Sequence, residues 1–141
     1  MFLEIHISDK VESCDLDALS ASVGNIITIG KKCKEVWNAL PIDDDSVDTF
    51  QCHLLGAGGE WQLKQGQVRT ECPKGLLSSK TVPCNGCMGR CVNIHPGRPK
   101  YLQRYPEVPV VYNGTQMGEY QSEFLKAGDE IALGNVKILV K

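Results

Sequence analysis

The sequence predicts an all-β sandwich or barrel, and three observations carry that expectation. Short apolar runs alternate along most of the chain, glycine-rich or Asn-Gly turns separate them, and only Asp15–Ser22 reads as a helix, a short one. Taken in order, Phe2–Ile7 alternates apolar and polar residues, so one face points inward. Ile26-Ile27-Thr28-Ile29 is a β-branched run stopped by Gly30. Phe50, Cys52 and Leu54 fall on one face of the next strand. Gly56-Ala57-Gly58-Gly59 then turns the chain into Glu60–Lys64, where Trp61 and Leu63 point inward together. Val108–Tyr112 is a further strand, ended by the turn dipeptide Asn113-Gly114. Glu130–Leu133 and Val136–Val140 close the chain as a hairpin around Gly134-Asn135.

Between Gln67 and Glu107 this regularity is expected to fail. Five of the seven prolines lie there (Pro73, Pro83, Pro96, Pro99 and Pro106), and proline removes the donor an interior strand needs. The stretch is also too long for an unsupported loop in a compact domain, so something must order it. Four of the seven cysteines lie in it: Cys72, Cys84, Cys87 and Cys91. The last three form a Cys-x2-Cys-x3-Cys run with Gly86 and Gly89 inside it, where a chain wrapping an ion must turn sharply.

Thiolates converging from one tight turn suit a metal ion, and zinc prefers four sulfur or nitrogen ligands in a tetrahedron. Cys84, Cys87 and Cys91 supply three, with Cys72 the natural fourth and His95 the runner-up. A site closed by protein ligands is structural, and its binding free energy becomes local folding free energy. An iron–sulfur cluster, disulfides or free redox thiols are the competing readings. Of the other cysteines, Cys52 is expected to be a small core residue. Asp43-Asp44-Asp45 lacks the alternating ligands of a calcium loop and reads as a solvated acidic turn.

The 141 residues suit one domain, and 42% hydrophobic with 23% charged residues suits a packed chain rather than a disordered one. No apolar run has transmembrane length, and the first residues lack the pattern of a secretory signal, so the expected location is the cytoplasm. There, clustered thiols are more often metal ligands than disulfides. The net charge of −2 hides an asymmetry: residues 69–104 carry seven Lys or Arg against Glu71 alone, which leaves −8 on the rest. Four thiolates on a zinc ion would lower that segment to roughly +4. Arg90, Arg98, Lys100 and Arg104 could form an anion-binding face, with Tyr101 and Tyr105 interleaved; a solvated basic face is the plainer alternative.

Three stretches resemble the forkhead-associated (FHA) domain family. Ile27-Thr28-Ile29-Gly30-Lys31 is similar to the family's Ile-Gly-Arg. Val47-Asp48-Thr49-Phe50-Gln51-Cys52-His53-Leu54 fits its Val-Ser-Arg-x-His-Ala-x-Leu without a gap. Leu125 to Gly134 matches its Leu-x-x-Gly-Asp-x-Ile-x-Leu-Gly. Trp61-Gln62-Leu63 fits the strand between them. The resemblance implies an eleven-stranded β-sandwich that reads phosphothreonine peptides with loops at one end. It also implies that Lys31 stands for the phosphate-contacting Arg, Asp48 for the phosphate-binding Ser, Thr49 for an Arg and Gln51 for a structural His. A register that places His53 on that His needs a two-residue insertion. Asn113-Gly114-Thr115 resembles the family's second, structural Asn-Gly turn, which implies that the cysteine-rich segment, residues 68–107, replaces the peptide-binding loop.

No nucleophile–base pair, phosphate loop or open metal site is present in the sequence, so a non-enzymatic module is expected. The leading reading is a zinc-stapled FHA-like domain binding a protein partner in signalling or complex assembly. Two alternatives stand beside it. One is a phosphothreonine reader using Lys31 with Arg90 or Arg98. The other is a zinc-ribbon-like nucleic-acid contact, which the low overall charge disfavours.

Overall fold

The computed structural model of the chain describes residues 1–34, 36–71, 77–79, 100–104 and 106–141, with residues 68–71, 77–79 and 100–104 described as backbone. The elements are β1 (Phe2–Ile7), β2 (Lys10–Asp15), α1 (Leu16–Val23), β3 (Ile26–Lys31), β4 (Leu40–Ile42), β5 (Cys52–Ala57) and β6 (Glu60–Gln65). They continue with β7 (Gln67–Glu71), β8 (Leu77–Ser79), β9 (Lys100–Arg104), β10 (Val110–Tyr112), β11 (Thr115–Gln116), β12 (Ser122–Phe124), β13 (Glu130–Leu133) and β14 (Val136–Val140).

Among the described residues the strands form a six-stranded sheet, β11-β10-β13-β14-β1-β2, and a five-stranded sheet, β12-β6-β5-β3-β4. Both contribute to one buried cluster, so they are the two layers of a sandwich. The six-stranded layer gives Leu3, Ile5, Val110, Ile131, Leu133, Val136 and Ile138; the other gives Ile27, Ile29, Cys52, Leu54, Trp61 and Leu63. Each such aliphatic or aromatic side chain, on full burial, contributes about 1.5–3 kcal/mol. The period-2 alternation of Phe2–Ile7 and Glu60–Gln65 therefore selects which face turns inward.

Turn chemistry closes the hairpins where the sequence places it. Asn113 (φ 49°) and Gly114 (φ 83°) are both left-handed, as a tight turn into β11 requires. The helix begins where expected: the Asp15 carboxylate accepts from the N–H groups of Asp17 (3.0 Å) and Ala18 (3.4 Å).

One expectation needs correction. Residues 67–107 do not lose strand structure throughout. The backbone forms a third sheet, β8-β7-β9, with β7 in its centre. The prolines of this stretch all fall outside its three strands, so none removes a ladder donor. Glu71 pairs with Lys100, so the chain leaves for residue 72 and returns at residue 99 at neighbouring points.

This third sheet is tied to the sandwich by a buried amide. Gln67 Nε2 lies 2.9 Å from the Ile29 carbonyl, 2.8 Å from Asn38 Oδ1 and 3.1 Å from the Cys52 carbonyl. Gln65 does similar work next door, accepting from the Val110 N–H (2.9 Å) and donating to the Met117 carbonyl (3.0 Å). A buried amide must fill its hydrogen bonds, so these side chains set register as firmly as the ladders do.

Candidate recognition cleft

At one end of the sandwich the β4–β5 connection, the end of β3 and the segment leading into β10 surround a cleft of about 500 Å³. Its lining includes Lys31, Asp45, Asp48, Thr49, Phe50 and Glu107.

The β4–β5 connection is held by short-range hydrogen bonds that its own sequence encodes. Asp44 Oδ1 accepts from the Ser46 N–H (2.9 Å) and hydroxyl (2.5 Å), which holds its carboxyl below the usual range. Ser46 Oγ in turn accepts from the Asn135 N–H (2.8 Å), docking the loop on the β13–β14 hairpin. Gly134 makes that contact possible: its φ is +58°, and a Cβ there would lie 2.3 Å from the Ser46 carbonyl oxygen.

Asp48 is the hub. Its Oδ1 accepts from the Phe50 N–H (2.8 Å) and its Oδ2 from the Glu107 N–H (3.0 Å). Its own N–H donates to Gln51 Oε1 (2.9 Å), and its carbonyl accepts from the Lys31 N–H (3.0 Å). Gln51, fully buried, also donates through Nε2 to the Val108 carbonyl (2.6 Å). The carboxylate and the Gln51 amide thus tie the β4–β5 connection to the segment before β10, and the Asp48 carbonyl ties it to β3. Thr49 is fixed through its carbonyl, which accepts from Asn38 Nδ2 (3.0 Å) directly over Gly30.

Lys31 Nζ sits 3.0 Å from Asp45 Oδ1, and that hydrogen bond, with the charge of Asp45, pushes the ammonium pKa up. Asp45 itself is almost fully exposed.

The structure brings three sequence-predicted residues, Lys31, Asp48 and Thr49, onto this cleft. Cys72, Cys84, Cys87, Cys91, Arg90 and Arg98, and His95 with them, lie outside the described residues. Cys52 is fully buried, as expected, and burial pushes its thiol pKa strongly up. The acidic turn also holds: Asp44 spends its carboxylate on Ser46, while Asp43 and Asp45 are exposed. Sequence reasoning missed Asp45 and Glu107 as cleft residues. Asp45 was legible as part of an acidic run, but Glu107 reaches Asp48 from 59 residues away and carries no local signal.

With the architecture and the cleft in place, comparison with solved structures is decisive for the fold. The chain superposes on the FHA domain of CT664 from Chlamydia trachomatis with a TM-score of 0.56 at 12% identity, covering 99% of this chain and 95% of that one. The chain has the FHA fold. The FHA domain of FhaA, crystallised with the intracellular domain of Rv3910, gives 0.54 at 13% identity over 99% of this chain and 98% of that one. The FHA domain of a hypothetical protein from Arabidopsis thaliana gives 0.52 at 14%, over 99% and 86%. No family model and no curated protein matches the chain. Likeness at this identity is likeness of fold, and a fold does not carry its ligand with it.

Within the FHA fold, the eleven strands that the resemblance implied are the six and five strands of the two sandwich sheets. Gln51 is the buried bridge between loops, while His53 lies on β5 with Nδ1 2.8 Å from the Gly66 carbonyl. Asn113-Gly114 is a structural turn: Asn113 Nδ2 donates to Asp129 Oδ1 (3.1 Å), and its Oδ1 accepts from the Glu130 N–H (2.8 Å). No helix among the described residues is long and apolar enough to cross a membrane.

Proposed function

We propose that this chain is a non-enzymatic protein-interaction module, serving signalling or complex assembly, whose cleft at Lys31, Asp48 and Thr49 holds a segment of a protein partner. One observation carries the reading. The β4–β5 loop is clamped through Asp48 and Gln51 to β3 and to the segment before β10, yet it leaves a cleft of about 500 Å³ open. A preorganised loop end binds without first losing loop entropy. The FhaA domain, whose fold the chain shares, was crystallised with part of another protein, which supports a protein partner.

The proposal includes the cysteine-rich segment, residues 68–107. Zinc on Cys72, Cys84, Cys87 and Cys91 would order it as a structural site. The donor set fits zinc, since thiolates are its preferred ligands and four complete a tetrahedron. The paired stalk of β7 and β9 supports the same reading, because Cys72 directly follows Glu71 at the end of that stalk. A zinc-ribbon-like nucleic-acid contact is less well supported at this end of the sandwich, where exposed carboxylates would repel phosphates.

The test is affinity capture with the full chain, followed by substitution inside and outside the cleft. Thr49→Trp plugs the cleft and should release the captured partner. Glu12→Gln, on the distant edge strand β2, should not. A partner retained equally by both variants would overturn the assignment of the cleft.

A further inference from the structure

We infer that this chain pairs with a second copy of itself through β2, the two β2 strands lying antiparallel about a two-fold axis at Val11, with Lys10 of each copy against Glu12 of the other. The edges of the two sandwich layers lead there. β4 is three residues long and contains Pro41, β12 has three residues and β11 two. β2 is the remaining edge, six residues without proline or glycine, and Lys10, Val11, Glu12 and Ser13 are all exposed. Such an edge is a row of unpaired backbone groups, which proteins otherwise shorten, interrupt or cover.

The ladder fixes which of those groups are free. The Leu16 N–H donates to the Met1 carbonyl (3.0 Å), whereas the Phe2 carbonyl accepts from Lys141 (2.9 Å), on the side of β14. Hydrogen-bonded and non-hydrogen-bonded pairs alternate along an antiparallel ladder. Carried along the β1–β2 register, the alternation turns the backbone groups of Lys10, Glu12 and Cys14 toward β1 and those of Val11 and Ser13 outward. A second β2 can therefore exchange hydrogen bonds with Val11 and Ser13, and three registers do so. Placing Val11 on Val11 sets Lys10 directly opposite Glu12 twice, at non-hydrogen-bonded positions where Cα atoms approach to about 4.5 Å. Neither side chain is in an ion pair among the described residues, so no existing pair is broken. Placing Val11 on Ser13 sets Glu12 on Glu12, and like charges directly opposite are destabilising. Placing Ser13 on Ser13 sets Glu12 against Cys14 and draws in Asp15, whose carboxylate already caps α1. Only the first register also covers Val11, 57% exposed, with its own copy.

This contact is isologous, so it closes at a dimer. Its ladder is short and buries less than the roughly 1,200 Å² of a stable interface, so association is weak and depends on concentration. No residue of β2 lines the cleft, so oligomeric state reads one surface and partner capture the other.

The experiment is sedimentation equilibrium of the full chain, with reductant present, at concentrations up to roughly 1 mM, which reaches even weak complexes. A monomer–dimer equilibrium that weakens with added salt is expected. Val11→Pro removes an outward N–H and no bond of the β1 ladder, so the protein should fold and melt as a monomer. Lys10→Glu and Glu12→Lys each set like charges opposite one another and should weaken the dimer by about tenfold or more. An equimolar mixture of these two variants should associate again, because every facing pair is then of opposite sign. A chain that stays monomeric at every concentration would overturn the inference. So would a dimer indifferent to Val11→Pro, or charge variants that associate no better mixed than alone.

Discussion

Gly30→Ala tests the loop clamp on which the cleft depends. Gly30 does not have a positive φ, so alanine meets no backbone penalty there, and the whole cost is steric. A Cβ at this position would lie 2.1 Å from the Thr49 carbonyl oxygen and 2.7 Å from Asn38 Nδ2. Non-bonded heavy atoms settle at about 3.5–4.0 Å, so the β4–β5 loop must retreat by roughly 1 Å or more. The retreat strains two hydrogen bonds, Asn38 Nδ2 to the Thr49 carbonyl and the Lys31 N–H to the Asp48 carbonyl, both 3.0 Å. Overpacking of this kind costs about 1–3 kcal/mol. Each bond lost adds about 1 kcal/mol, for a total of about 3–5 kcal/mol. In a domain of this size that lowers Tm by about 10–15 °C. Calorimetry measures it directly, and amide exchange at Lys31 should accelerate in parallel. Gly58→Ala is the matched control. Its φ is +61° with no atom within 4 Å of the new Cβ, so it incurs only the left-handed backbone cost, about 1–2 kcal/mol. A Gly30→Ala protein that melts within about 3 °C of the parent would refute the clamp.

The buried Asp129 makes stability depend on acid. Burial pushes its carboxyl up, but hydrogen bonds from the Tyr112 hydroxyl, the Lys126 N–H and the Asn113 amide outweigh this and hold it below the usual range, while burial and Asp129 push Tyr112 up to about 12. A lowered folded-state value contributes stability that is present above the unfolded carboxyl range, about 3.9, and is lost as pH falls through the folded value. In Tyr112→Phe the folded value moves back towards the unfolded one, so the acid-dependent part of the stability should shrink and its loss be complete at higher pH, with about 1–2 kcal/mol missing at neutrality, read as Tm against pH; parallel profiles would contradict it. The Cys52 thiol, fully buried and pushed up by burial, should be alkylated by iodoacetamide only in denaturant, as located by peptide mapping; labelling in the native state would show the core to be open. For the proposed metal site, elemental analysis should find about one zinc per chain. Cys84→Ser should lower both the metal content and the protease resistance of the cysteine-rich segment, and unchanged values for both would dismiss the site.

The strands with a one-sided apolar pattern were legible in the sequence. Leu3, Ile5 and Ile7, or Trp61 and Leu63, announce themselves through period 2, because one face of a sandwich strand must leave water. Strands without that pattern were not. Lys10–Asp15 is a polar edge strand held by its partner's ladder rather than by its own burial, and Leu40–Ile42 exists only because Ile29, Gly30 and Lys31 offer it a parallel edge. Prolines made residues 67–107 look strandless, yet β7 and β9 fit between them. Pairing there joins residues far apart in sequence, which local reasoning does not reach.

By itself the sequence determined the class of fold and the turns at Gly58-Gly59 and Asn113-Gly114, because propensity and apolar alternation act over a few residues, while the family resemblance implied that Lys31, Asp48 and Thr49 share one end. Tertiary structure alone decided what those positions do. It turned Gln51, Gln65 and Gln67, polar residues with no inward signal, into buried ties between segments. It also brought Asp45 and Glu107 onto the cleft that holds Lys31 and Asp48. Hydrogen bonding and charge act through space, and which groups share that space is settled only once the two sheets have packed.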